Sequence, residues 1–307
     1  MPRLVKARAL PPGGTVGLAA PAGPVEPEKL AAGEARWRDA GFRVVRRDDL
    51  VARSGYLAGD DARRLRELDA LVRDPEIDAI VCARGGYGCD RILDALDPAA
   101  FRAARKPLVG FSDVTALLLW QRRLAGLTGF HGPMLERGDA QDPLVFADLV
   151  AQLQGRGALP RTLSGRGTAG GTADGRLVGG NLVLVTASLG TRWEIDTRGA
   201  ILLLEEVGEP PYRIDRMLQQ LRHAGKLAPL AGIGLGDFDH CVDERYPEPH
   251  VHDVVFEVLA PLGIPIVRDL PFGHVTRNCA WPLGARATID GDRGEIRILE
   301  AGVTRNT

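Results

Sequence analysis

The feature that most constrains this chain is the regular alternation in its first 125 residues between short apolar runs and segments with helical spacing. The apolar stretches are "TVGLAAPAG" (15–23), "RVVRR" (43–47), "IDAIVCAR" (77–84) and "KPLVGF" (106–111). Between them lie "EPEKLAAGEARWRDAGF", ended by Gly41, and "GDDARRLRELDALVRDP", stopped before Pro75. "YGCDRILDAL" and "DVTALLLWQRRLA" continue the pattern as two further expected helices. Strands that are apolar on both faces, each followed by a helix, predict a parallel sheet covered by helices. In such sheets, ligands bind just beyond the carboxyl ends of the strands, so residues there matter most.

The rest of the chain reads differently. We place an α/β domain over 1–138, a linker segment over 139–167 and a second domain over 168–307. The linker holds an amphipathic piece, "PLVFADLVAQLQG", and the Gly/Arg/Ser-rich "GRGALPRTLSGRGTAGG". The second domain has a mixed pattern. It includes the helix "NLVLVTASLG", the buried strand "AILLLEEVGE", the helix "YRIDRMLQQLRHAG" and the strand "LAGIGLGDF". Near the end, "ARATIDGDRGEIRILEAG" alternates around a glycine turn as a hairpin does.

Composition narrows the function classes. A net charge of −1 over 307 residues offers no field for nucleic acid or an anionic membrane. No apolar run approaches the ~20 residues that span a bilayer. The first residues lack the apolar core of a secretory signal. Cys82, Cys89, Cys241 and Cys279 form no CxxC motif, and a reducing, cytoplasmic setting fits them.

Four places after strands carry candidate chemistry. In "GFSD", Ser112 and Asp113 stand between a strand and a helix. Ser112 can be a helix cap, or a nucleophile raised on a strand–turn–helix elbow. In "ARGGYG" (83–88), paired glycines can present backbone N–H groups to an anion or an oxyanion, or form an ordinary turn. The spacing matches no nucleotide-binding fingerprint. In "LLLEEVGEPPYRIDR" (202–216), Glu205, Glu206 and Glu209 follow a central strand, where a buried carboxylate needs a cation or histidine partner. His274, after Gly273 in "LPFGHVTRN", is a candidate general base. His131 follows the serine-bearing unit and could lie near the site. "DHCVDERYPEPHVHD" gathers His240, Cys241, Asp243, His250 and His252, but Pro247 and Pro249 suggest a loop unsuited to metal ligation, so no metal is assigned.

"RGGYG" (84–88), "GFSD" (110–113), "HGPML" (131–135), "GGNL" (179–182), "LLLEEVGEPPYRIDRMLQQL" (202–221) and "LPFGH" (270–274) together resemble the LD-carboxypeptidases, a serine peptidase family that includes microcin-immunity peptidases. The resemblance implies a flavodoxin-like α/β domain followed by a mixed, β-rich α/β domain. It implies a Ser112–His274–Glu205 triad and selects Glu205 over Glu206, which spacing leaves open. The backbone N–H groups of Gly86 and Asp113 become oxyanion donors, and Arg84 and Arg213 are candidates to hold a substrate carboxylate. It further implies a cytoplasmic homodimer without cofactor, removing the terminal D-alanine of a murein tetrapeptide during peptidoglycan recycling. Three other readings are an immunity-type hydrolase of peptidyl-nucleotides or acyl-sulfamoyl-adenylates, a non-catalytic anion-binding protein on the same scaffold, and a metallohydrolase using the His240–His252 cluster.

Overall fold

A computed structural model describes residues 2–137 and 142–304. The expected boundary at 138/139 lies outside the described residues. The chain divides into two compact units. One comprises Met1–Gly157, Cys279–Leu283 and Ala301–Thr307; the other comprises Ala158–Asn278 and Gly284–Glu300. Thus two short pieces of the last thirty residues join the first unit, a return that no local pattern announces.

The first unit holds a six-stranded sheet. Its spatial order is Arg43–Val45, Thr15–Ala19, Ala79–Cys82, Leu108–Gly110, Phe130–His131 and Trp281–Pro282. The first five are parallel, and Trp281–Pro282 runs antiparallel at the edge. In chain order the five parallel strands give 2-1-3-4-5, the flavodoxin-like arrangement, which has its switch point between the first and third strands. Thr15–Ala19 and Ala79–Cys82 are buried at every residue, as expected of strands covered on both faces. Helix Asp61–Arg73 begins where Asp60 accepts the N–H of Arg63 at 2.6 Å, and its buried stripe includes Leu68, Leu71 and Val72.

One expectation fails here. "YGCDRILDAL" forms two 3₁₀ turns, Cys89–Arg91 and Leu93–Ala95, rather than one α-helix. The Cys89 N–H is bound by the Asp113 side chain at 2.9 Å, and this tertiary contact fixes the segment's start. The α-helix lies further on, over Pro98–Ala104, capped by Asp97.

The second unit is built on an eight-stranded mixed sheet. The four strands Thr172–Asn181, Ala200–Val207, Gly232–Asp239 and Ile266–Arg268 are parallel at its centre. The hairpin Arg286–Asp290/Glu295–Ile298 pairs antiparallel beside Thr172–Asn181, as its alternation predicts. Arg161–Ser164 and Arg166–Ala169 lie at opposite ends of this sheet although only Gly165 separates them. The sheet therefore curls until its two edges approach, and Gly165 N–H donates to the Gly294 carbonyl at 2.8 Å. This stretch reads as linker by composition because its many glycines are poor strand formers. Pairing with the rest of the sheet overrides that local preference.

Candidate active site

Each of the two units carries its own set of polar residues. In the first, the strand Leu108–Gly110 runs into the helix Val114–Trp120 through a turn so sharp that Ser112 has φ 59°. A side-chain-bearing residue in this left-handed region is strained by about 1–3 kcal/mol, and such strain concentrates at functional positions. The capping alternative has little support, since the N-cap position belongs to Asp113, which makes no side-chain cap bond.

The glycine loop after Ala79–Cys82 lies directly on this serine. A methyl carbon on Gly85 would stand 2.9 Å from Ser112 Cβ, 3.1 Å from its Oγ and 3.5 Å from the Asp113 nitrogen. Only a residue without a side chain permits that approach. The Gly85 carbonyl accepts the Gly23 N–H at 2.9 Å. Across a trans peptide, the Gly86 N–H therefore points away from Gly23. Burial raises the Asp113 carboxyl above its usual range, while the Cys89 and Gly88 N–H groups oppose that rise.

Arg84 is only partly exposed, with Nε 3.0 Å from Glu136 and Nη1 donating to the Pro24 carbonyl at 2.7 Å. His131 is fully buried in the sheet, stacked on Trp281 with ring centroids 5.0 Å apart and near Phe111 at 5.7 Å. It serves the core of the unit.

In the second unit, Glu205 is completely buried on the strand Ala200–Val207, and its Oε2 lies 2.7 Å from Nδ1 of His274. His274 is reached through Gly273, which has φ 113° and whose added Cβ would fall 2.9 Å from Glu205 Cβ. The loop is pinned where Gly273 N–H donates to Asn278 Oδ1 at 3.1 Å. Adjacent residues of a strand point to opposite faces, so Glu206 cannot share this partner. Its carboxylate instead accepts from Asn181 Nδ2 and Val183 N–H, each at 2.8 Å, and from Val207 N–H at 2.9 Å. Burial pushes Glu206 up to about 7. Glu209 pairs with exposed Arg213 at 3.2 Å. Spacing alone leaves all three glutamates open; the pleat separates them.

Sequence reading left out three side chains beside this pair: Asn181, Asn278 and Asp237. Asp237 sits where the ladder between Ala200–Val207 and Gly232–Asp239 slips, and its N–H donates to the Phe272 carbonyl at 3.1 Å. Burial raises its carboxyl, with Asp239 and Glu205 adding to the rise and His274 opposing it. An acidic residue after the apolar run "GIGLG" was the only available signal.

The histidine-rich segment does not converge. His240 contacts Asp239 at 2.6 Å, His250 lies 3.4 Å from Glu248, and His252 stands on the helix Val251–Leu259 beside Phe238. Among the described residues, no group of three His, Cys, Asp or Glu side chains is arranged to hold a metal ion. Nor is any described helix long and apolar enough to cross a membrane.

Comparison with known proteins bears on the family and the fold. Residues 16–132 match the LD-carboxypeptidase N-terminal domain, and residues 174–289 match the LD-carboxypeptidase C-terminal domain. A Bacillus subtilis relative assigned to the murein peptide carboxypeptidases is 39% identical, covering 97% of this chain and 95% of its own. The murein tetrapeptide carboxypeptidase of Pseudomonas aeruginosa is 35% identical, covering 91% and 94%. The crystal structure of muramoyltetrapeptide carboxypeptidase from Oxalobacter formigenes superposes with a TM-score of 0.83 at 27% identity, over 94% of this chain and 100% of that one. The microcin C7 self-immunity protein bound to glutamyl sulfamoyl guanosine superposes at 0.88 over 97% and 99%, but at 23% identity it attests the fold alone. The chain belongs to the LD-carboxypeptidase family of peptidases and is a hydrolase of the carboxypeptidase class.

Proposed function

We propose that the protein is a serine LD-carboxypeptidase that removes the terminal D-alanine from murein tetrapeptide, with Ser112 as nucleophile, His274 as base and Glu205 as the carboxylate that orients it. The observation that carries this reading is the Glu205–His274 pair, 2.7 Å through Nδ1. A carboxylate on Nδ1 fixes the tautomer that leaves Nε2 as the proton acceptor, and it stabilises the imidazolium formed later. His274 takes the Ser112 proton as Oγ attacks the carbonyl carbon, then returns it to the departing amine of D-alanine. Water attacks the resulting acyl-enzyme by the same route.

The oxyanion is received by the N–H groups of Gly86 and Asp113. Support comes from the glycine loop lying on Ser112 and from the orientation that the Gly85–Gly23 bond imposes. Such donors typically contribute ~10²–10³ in rate each. Arg84 and Arg213 remain the candidates for the substrate's free carboxylate, each already held by a glutamate that the substrate would displace. Action in cytoplasmic peptidoglycan recycling, as a homodimer, completes the proposal; four buried free thiols suit a reducing compartment.

The test is to incubate the protein with L-alanyl-γ-D-glutamyl-meso-diaminopimelyl-D-alanine and follow D-alanine by mass spectrometry, with Ser112→Ala alongside. Release by the parent protein only is expected. No release by either overturns the murein substrate, and hydrolysis of a peptidyl-adenylate analogue instead would place the protein in the immunity-type branch.

A further inference from the structure

We propose that Arg64 is a positioning residue for the oxyanion hole: together with the Asp113 carboxylate, its buried guanidinium straps the glycine loop that carries Gly86. The inference rests on the reading of Ser112 and Gly86 given above.

Arg64 stands in the helix Asp61–Arg73 and is completely buried. Removing a guanidinium from water is expensive, and an apolar side chain would fill the same space at lower cost. What an apolar side chain could not do is hold backbone. Arg64 Nη1 donates to the Pro21 carbonyl at 2.7 Å and to the Gly88 carbonyl at 2.6 Å. Pro21 follows the strand Thr15–Ala19, and Gly88 ends the loop after Ala79–Cys82. These two strands flank the switch point, so one side chain cross-links the loops on either side of it. Asp61 engages Nη2 and is itself gripped by Arg91 at 2.8 Å, which orients the guanidinium.

The loop is thus tied at three points. Gly85 is held through its carbonyl by Gly23, Gly88 through its carbonyl by Arg64, and Cys89 through its N–H by Asp113 at 2.9 Å. Gly86 lies between the ties. A donor that must meet charge only in the transition state works when it is already in place, and a displacement of about 1 Å can cost ~10²-fold in rate. Because Asp113 directly follows the nucleophile, its tie couples the loop to the serine turn.

The test uses the full chain with Arg64→Met, Arg64→Lys and, as a milder change, Asp61→Asn. Four quantities are read: kcat and KM on murein tetrapeptide, the labelling rate of Ser112 by a fluorophosphonate, amide exchange over 84–91, and thermal midpoint. Arg64→Met is expected to lower kcat and labelling by about 10²-fold with KM changed no more than about threefold, and to speed exchange in the loop. Arg64→Lys, which keeps a charged donor, should recover about tenfold. Unchanged rates, or rates that fall only with the folded fraction, overturn the inference; so do lowered rates without faster loop exchange. Should Arg64→Met fail to fold, the Lys and Asp61→Asn variants decide by the same criteria. A parent protein that labels but does not cleave the tetrapeptide overturns the substrate alone, and the labelling rates then decide. One that neither labels nor cleaves overturns both readings.

Discussion

The two units prepare chemistry by opposite means. The first does so with backbone: Ser112 is forced into a left-handed conformation, and a glycine loop is laid against it. The second does so with side chains: a buried carboxylate meets an imidazole at 2.7 Å across 69 residues of sequence. Strain and loop geometry tolerate little substitution because the backbone itself is the feature. A paired Glu and His tolerate changes around them so long as the pleat and one glycine keep the partners in reach. Each unit also buries a further carboxylate that serves the scaffold. Glu67 in the first receives the Ala20 N–H at 2.6 Å and the Arg63 guanidinium, while Glu206 in the second receives three N–H groups.

This contrast can be broken at four points. Replacing Ser112 has the largest expected effect: Ser112→Gly should lower kcat by about 10⁶-fold. Because glycine adopts φ 59° without strain, the same variant should be about 1 kcal/mol more stable, read by denaturant unfolding. A loss of stability would mean that the turn stores no strain. Glu205→Gln should reduce kcat by about 10³–10⁴-fold while leaving Ser112 turn geometry untouched, measured by steady-state kinetics and a crystal structure of the variant. Wild-type rates would remove Glu205 from the triad.

Gly273→Ala sharpens the comparison, since it tests whether backbone also matters in the second unit. The added Cβ, 2.9 Å from Glu205 Cβ at a φ of 113°, should push the histidine loop away and destabilise by about 1–3 kcal/mol. A rate loss of about 10–10²-fold should accompany it. Unaltered kcat would show that the loop adapts.

The smallest effect concerns pH. Burial raises both Glu67 and Glu206 from 4.5 to about 7. Between those values the folded chain binds more protons than the unfolded chain, so stability contributed by the neutral carboxyls is full below pH 4.5 and is lost as pH rises through about 7. Glu67→Gln and Glu206→Gln should each flatten the fall of the thermal midpoint across that window. A slope that survives both substitutions would assign the pH dependence to other groups.

Much of this was open to reading from local pattern. The alternation of strands and helices located the parallel sheet because period and punctuation are properties of neighbouring residues. Glu205, Glu206 and Glu209 were flagged because carboxylates at the end of an apolar strand need partners. The pattern misled where distant groups decide local structure. Asp113 anchors the Cys89 N–H in a segment that turns as two 3₁₀ pieces, and sheet pairing turns a linker-like stretch into two strands. Arg64 gave no sign of itself, since an arginine on an amphipathic helix reads as surface.

The sequence by itself determined the periodicities, the positions of the Ser, Glu, His and Gly residues, and the family likeness that their order carries. These depend on residue identity and spacing along the chain. Spacing left open which glutamate meets His274, and the family likeness pointed to Glu205. The tertiary structure supplied that contact, and it alone decided that Ser112 is held in a strained turn under a glycine loop and that the last thirty residues feed strands to both units. Those outcomes depend on pleat direction, close backbone approach and pairing between residues far apart in sequence, and no local pattern encodes a partner that lies a hundred residues away.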